Sequence, residues 1–281
     1  GGREQNNGPR RGYMKLTFPE EQFKGSIPIL SSMLKQINQC NVLLENVDRV
    51  TDATEEEILD MKGQAYFMRA LGHFCLARFY GGWPYQDHVL KADEDWDLAR
   101  LPLKETYQRC AADMYTAYEY FSKIGKMRRD SYPGMDGHLR INNEFIKPSG
   151  TAALAFRGRM LLYAASPLAN PEQDPECWKE AAEAAGLALK VALEQKYALQ
   201  PMDRWRDNFV EVDATNENIW QYRWQHSDVD NACTWLIYAQ NNKTTTSGTC
   251  PTQNYVDKFE TVWGEALNTE EDRAAATAAG H

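Results

Sequence analysis

The sequence predicts a mainly α fold: antiparallel helix pairs through the first 200 residues, then irregular loops with a few short strands. Two observations carry most of that prediction. Apolar residues recur at three- and four-residue steps through five successive segments, the period of a helix with one buried face. One of those segments also opens on a capping signal and closes on Gly81-Gly82 and Pro84, which supply a positive-φ exit and forbid resumption. A third observation concerns arrangement. Ala65, Arg69 and Phe74 of the second helix have counterparts Ala153, Arg157 and Leu162, each 88 residues on, in the fourth. Related helices of this kind suggest a helical-repeat scaffold, with spacing too irregular for a simple solenoid.

Residues 1–25 are polar and turn-rich and read as an N-terminal loop segment; 26–200 read as the scaffold; 201–281 read as a loop-rich, short-strand region. The first helix carries Leu30, Met33 or Leu34, Ile37, Asn41, Leu44 and Val47 on one face and ends near Asp48. The second runs from the N-cap Thr54, with Glu57 completing the box, to Tyr80: 27 residues and ~40 Å. One seam is Ile58, Met61, Ala65, Met68, Gly72, Cys75 and Phe79; a second is Phe67, Leu71 and Phe74. Two seams mean burial on more than one side, and Gly63, Ala65, Ala70, Gly72 and Ala77 let neighbouring helices come close. Residues 83–102 form an acidic loop. A third helix presents Tyr107, Cys110, Met114, Ala117 or Tyr118, and Phe121. A fourth opens at Pro148-Ser149, presents Ala153, Phe156, Met160 and Tyr163, and stops at Ser166-Pro167. A fifth, from about Pro175, places Trp178 on an apolar seam with Ala181, Ala185, Ala188 or Leu189, and Ala192, and so predicts Trp178 to be core. Beyond Tyr197, the pairs Phe209-Val210 and Ile219-Trp220 and the run Leu236-Ile237-Tyr238 are candidate strands. Thr252 can cap a last short helix, and residues from Glu265 read as an Ala-rich solvated helix or tail.

Composition excludes several functions. With 31 basic against 40 acidic residues the net charge is −9. That argues against a general nucleic-acid binder or charge-driven docking on anionic lipid. No stretch approaches the ~20 apolar residues of a membrane span. Six scattered cysteines, with no C-x-x-C pair, do not set the redox compartment; Cys75 and Cys110 fall on apolar helix faces. The run Asp93-x-Asp95-x-Asp97 fails the calcium-loop test, since Leu98 and Lys104 stand where Gly and the bidentate Glu belong. The five histidines are far apart, so no metal site and no cofactor is expected, and His73 reads as a core residue. Lys126, Arg128 and Arg129 read as a solvated basic patch.

The second helix and its exit carry a resemblance. Gly63-Gln64-Ala65-Tyr66-Phe67-Met68-Arg69-Ala70, continuing to Phe79-Tyr80-Gly81-Gly82-Trp83-Pro84-Tyr85, resembles the G-x-A-x-F-x-R-A…Y-G-G-x-P signature of the SusD/RagB family. Four further segments agree in order. Ile37 to Asn41 resembles its I-x-x-A-N helix, and Ala152 to Ala164 its A-A-x-A-L-x-A-R-x-x-L-Y-A helix. Asn216 to Trp220 resembles its N-x-E-x-I turn, and Pro251 to Glu260 its P-T-Q-x-x-V-D-x-F-E block. Cys40 stands where Ala is usual, Gly158-Arg159 replaces Ala-Arg, and Trp83 takes a usually aliphatic place. The resemblance implies tetratricopeptide-type helix pairs and a non-enzymatic role. It implies a surface-exposed outer-membrane lipoprotein that captures a glycan or peptide over a SusC-like TonB-dependent transporter. The family extends past its P-T-Q block and carries an N-terminal lipidated Cys, so further chain at both ends is expected.

The signature residues are mainly fold residues, so candidate ligand contacts come from the aromatics. Sugar rings offer flat C–H faces to exposed rings, while amides and carboxylates bind hydroxyls. Trp224, Trp235 and Tyr238 lie in a polar stretch beside Gln240 and Asn241, and loops carry most binding function. Trp83, Tyr85 and Trp96 form a second group in the loop after the second helix. Trp205 and Trp220, next to Phe209 and Ile219, read as packing. The leading function is oligosaccharide capture for uptake. The alternatives are a peptide-binding tetratricopeptide-type adaptor and, behind it, a glycoside hydrolase, which would need two carboxyls ~5–10 Å apart.

Overall fold

The computed structural model describes residues 29–128, 147–210, 215–220, 258–261 and 263–280. Two compact units divide the chain: Pro28–Arg223, and Gly1–Ile27 together with Trp224–His281. The larger unit holds five long helices: α1 (Ile29–Asn46), α2 (Glu55–Tyr80), α3 (Leu103–Lys123), α4 (Gly150–Ala165) and α5 (Pro175–Glu194). Each packs against the next in chain order. The mainly helical class expected from the sequence is what the chain adopts.

Helix α2 is the axis of this unit. Its first turn is closed by the predicted capping box: Thr54 Oγ1 accepts from the Glu57 amide at 3.2 Å, and Glu57 Oε2 accepts from the Thr54 amide at 2.8 Å. That satisfies two amides the helix itself leaves unpaired. The small residues do what their size allows. A Cβ on Gly63 would stand 2.8 Å from the Phe121 ring of α3, and one on Gly72 would stand 3.0 Å from Ile37 of α1. Two helices therefore press on α2 at its glycines, and Phe67, Ala70 and Leu76 are fully buried. Each large apolar side chain so enclosed contributes about 1.5–3 kcal/mol. The two glycines at the exit have different jobs. Gly81, at φ 77°, makes the left-handed turn. Gly82 has no room for a side chain, because the Leu101 carbonyl lies against it.

The core continues through α3, where Tyr107, Cys110, Met114, Ala117 and Phe121 are buried as the periodicity predicts. Helices α2 and α4 also meet directly across α3: Phe67 sets its edge on Phe156 (5.5 Å) and Phe74 on Tyr163 (5.2 Å). Tyr163 is nonetheless 37% exposed, so it caps the core rather than lying in it.

Four expectations need correction. Trp178 is 45% exposed. The inward stripe of α5 runs through Cys177, Ala181, Ala184, Val191 and Ala192. In an alanine-rich helix the apolar face is set by whichever residues fit the neighbour, and here Cys177 lies on the buried side in place of Trp178. Trp205 likewise is exposed. Two candidate strands are not strands: Phe209-Val210 closes a four-residue helix, α6 (Asp207–Val210), and Ile219-Trp220 forms a bend. The basic patch after α3 is tethered: Lys126 Nζ pairs with Asp60 at 2.6 Å, and Arg128 donates to the Gln195 carbonyl at 2.6 Å and to Asn216 Oδ1 at 2.8 Å.

In the smaller unit the described part is one antiparallel bridge, Glu260 to Ala266, followed by α7 (Glu270–Ala278). That helix opens on a second capping box, Thr269 with Asp272, and is mostly exposed. Among the described residues, no helix is long and apolar enough to cross a membrane. Cys40, Cys75, Cys110 and Cys177 are free thiols. The candidate strand at 236–238 and the helix expected from Thr252 lie outside the described residues.

Candidate functional site: a loop clamped to the helix frame

The loop that leaves α2 is held by its main chain. Asn41 of α1 donates to the Gln86 and His88 carbonyls, at 3.2 and 2.8 Å. Arg69 of α2 donates to the Asp87 carbonyl at 2.8 Å. His73, one turn on, bonds the Gln86 carbonyl through Nε2 at 3.1 Å. Three consecutive carbonyls are thus gripped by two helices. Glu45 of α1 also accepts from the Val89 amide at 2.8 Å.

Arg69 organises the clamp. It is buried, and forks onto Asp113 of α3 with bonds of 2.7 and 2.9 Å. Its remaining reach goes to Asn41 Oδ1 at 3.0 Å. A planar guanidinium matched to one carboxylate is the geometry in which a buried charge pair offsets its desolvation. Burial works against the charge of Arg69, but the bonds to Asp113 outweigh it and hold the guanidinium ionised above its ordinary pKa. Nothing in the periodicity of α2 marks this role beyond one signal: a charged residue set among Ala65, Met68 and Gly72 on a face that must be buried.

The proposed ligand residues of this loop fall in different places. Tyr85 stacks on His73 at 4.0 Å, and its hydroxyl donates to Asp113 at 2.7 Å. Burial, then the neighbouring Cys110 and Asp113, push its phenol well above the usual value. Trp83 is half-buried; its ring lies against Tyr80 (5.6 Å), with the Arg100 guanidinium 5.8 Å from its centre. Trp96 is 65% exposed, tied down only at its edge by an Nε1 bond to the Lys91 carbonyl at 2.9 Å. Between them His88 stands between Asp87 (2.8 Å) and Glu94 (3.1 Å), whose hydrogen bonds raise its pKa. His73 is the opposite case: burial lowers it to about 4, and its Nδ1 meets no partner among the described residues.

Trp224, Trp235, Tyr238, Gln240 and Asn241 lie outside the described residues, so the structure does not place them against this loop. Among the described residues, no three His, Cys, Asp or Glu side chains converge to hold a metal ion.

Residues 16–129, which contain α1, α2, the clamped loop and α3, match a family model described as SusD-like, starch-binding and associating with the outer membrane. Over this stretch the chain is similar to the SusD/RagB family. Solved SusD-like folds agree with its architecture. A SusD-like protein from Bacteroides fragilis aligns with a TM-score of 0.53 at 20% identity, over 72% of this chain and 34% of that one. A SusD superfamily protein from Bacteroides thetaiotaomicron aligns at 0.52 and 17% identity, over 70% and 38%. A surface glycan-binding protein A from Bacteroides uniformis aligns at 0.50 and 16%, over 70% and 38%. This SusD-like chain thus spans little more than a third of the length of those structures. No curated protein matches its sequence.

Proposed function

We propose that this SusD-like chain captures an oligosaccharide at the cell surface and passes it, unmodified, to a SusC-like TonB-dependent transporter. In this reading it is part of an outer-membrane lipoprotein and no enzyme. One observation carries the reading: within the segment that matches a starch-binding family, the loop gripped by the helices at Gln86 to Val89 runs on to Trp96, which is 65% exposed. A ring pinned at its edge, as Trp96 is by its bond to the Lys91 carbonyl, loses less conformational freedom on stacking against a sugar than a free one. Trp83 and Trp96 supply the sugar-facing rings of this loop. Tyr85, whose ring and hydroxyl are both engaged inward, we assign to holding the loop rather than the ligand. Trp224, Trp235 and Tyr238, with Gln240 and Asn241, we assign to a second contact group.

The test is saturable binding of neutral oligosaccharides to the full-length protein, screened on a glycan array, with the ligand recovered intact. Trp96→Ala and Trp235→Ala should each weaken binding by about 1 kcal/mol, the worth of one aromatic contact, without lowering the melting temperature. New reducing ends in the incubation would replace this reading with a hydrolase. Unchanged affinity in both variants would remove these rings from the site.

A further inference from the structure

A second groove lies on the scaffold itself, between α4, α5 and the turn at 215–220. It consists of two adjoining cavities of about 350 and 390 Å³, which share Ala155 and Arg159 in their walls. Each is within the size range of small-ligand sites. One wall of the first cavity is Trp178, 45% exposed, over a floor of Ala181, Ala185 and Gly158. A Cβ on Gly158 would touch the α5 backbone at 3.4 Å, so the floor is as low as the helix pair permits. The second cavity is bounded by Phe156, Trp220, Glu217 and Asn218.

Arg159 stands where the two cavities meet. Its guanidinium lies 5.6 Å from the centre of the Phe156 ring, and it forms no ion pair among the described residues. The repeat sharpens this. Counting back 88 residues from Arg159 reaches Leu71 of α2, which packs against the core. So α4 carries an exposed cation where its counterpart carries an apolar contact, in a chain whose net charge is −9. Among the described residues, the one carboxylate lining the groove is Glu217, in the second cavity. It accepts from the Gln200 amide at 2.9 Å and from Asn208 Nδ2 at 2.7 Å, which hold it ionised. Among the described residues, none that lines the Trp178 cavity is acidic.

From this arrangement we infer that the α4–α5 groove is a separate binding site for an acidic saccharide, a uronate-bearing chain, with the sugar face on Trp178 and the carboxylate on Arg159. The flat indole takes the C–H face of a ring. The guanidinium fork takes a carboxylate in two parallel bonds. Glu217 repels the carboxylate from the other cavity, so the ligand's neutral hydroxyls are directed there. An extended peptide is less well served. The groove walls are mostly helix, whose backbone groups are already paired, and offer such a chain little main-chain pairing. The inference rests on the glycan-binding reading above but uses none of its residues.

The experiment is calorimetric titration of the full-length protein with trigalacturonic acid and with its neutral methyl ester, in wild type, Arg159→Gln, Arg159→Lys and Trp178→Ala. Both positions are solvent-exposed, and thermal melts confirm folding of each variant. Wild type should prefer the acid at least tenfold. Arg159→Gln should abolish that preference, and Arg159→Lys should restore part of it. Trp178→Ala should weaken acid and ester alike by about fivefold, the expectation for one lost stacking contact. Bound acid should also protect Trp178 from oxidative labelling. Equal binding of acid and ester, an acid preference that survives Arg159→Gln, or displacement of the sugar by an acidic hexapeptide binding more tightly each overturns the assignment. If neutral maltotriose binds in a Trp96-dependent way while Arg159→Gln changes nothing, this groove fails and the loop stands. If the acid binds through Arg159 while Trp96→Ala has no effect on any sugar, the loop fails and this groove stands.

Discussion

Helices α2 and α4 share Ala, Arg and a large apolar residue at an 88-residue offset, yet they live in different surroundings. In α2, Phe74 is 2% exposed and Arg69 is buried in a fork with Asp113. In α4, Leu162 is 50% exposed, and Arg157 is half-buried with its guanidinium 5.1 Å from the centre of the Tyr115 ring. The same residue types therefore serve as structural keystone in one helix and as surface in the other. Their worth is set by the number of neighbours that close over them, not by the helix they sit on.

The sharpest way to break this contrast is the arginine pair. Arg69→Met strands a buried carboxylate on Asp113 and releases the Asp87 carbonyl, and should cost 3–5 kcal/mol in denaturant unfolding, the usual penalty for halving a buried ion pair. Arg157→Met removes a ring contact and should cost only about 0.5–1 kcal/mol. Equal losses would mean that the two helices are equally enclosed. The apolar pair follows: Phe74→Ala should cost about 3–5 kcal/mol through the cavity it opens, whereas Leu162→Ala should stay within about 0.5 kcal/mol.

A pH series tests the clamp from inside. His73 has a folded pKa near 4 against an ordinary 6.5. The unfolded chain then takes up a proton that the folded chain refuses. Stability should be flat above about pH 6.5, fall as the pH drops towards 4, and level off below it. The full span is about 3 kcal/mol by linkage. His73→Gln should flatten that portion of the curve, and an unaltered slope would assign it to other groups. The smallest effects come from glycines. Gly63→Ala drives a methyl into the Phe121 ring and should cost about 1–3 kcal/mol. Gly186→Ala on α5, with nothing within 4 Å, should stabilise by up to about 1 kcal/mol through helix propensity.

Much of the frame was legible in the sequence because it depends on local rules. The Thr54–Glu57 box and the seam of α3 need only residues a few places apart, and the small residues at Gly63 and Gly72 are visible without knowing which helices press on them. The fifth helix was misread at Trp178 because alanine gives almost no direction to an apolar face. The clamp shows in the sequence only as a charge on a buried face: Arg69 meets partners 28, 18 and 44 positions away, and a side chain that seeks a carbonyl leaves no mark at the position whose carbonyl it finds. Of the proposed sugar-facing residues, Trp96 is an aromatic in a polar loop, and it is exposed. Tyr85 stands in the same sequence setting, but its ring stacks on His73, a partner that only the fold reveals. The setting of Arg159 depends on two helices and a distant turn, so its sequence neighbours mark it only as part of a departure from the family pattern.

The grip on Gln86, Asp87 and His88 is exerted on oxygens that every amino acid possesses. Substituting the outward side chains along this stretch leaves the anchoring intact, so the rim can acquire new chemistry while the chassis beneath it is unaltered. A library randomised at those three positions should therefore yield mostly folded members, with differing ligand preferences, from a single scaffold.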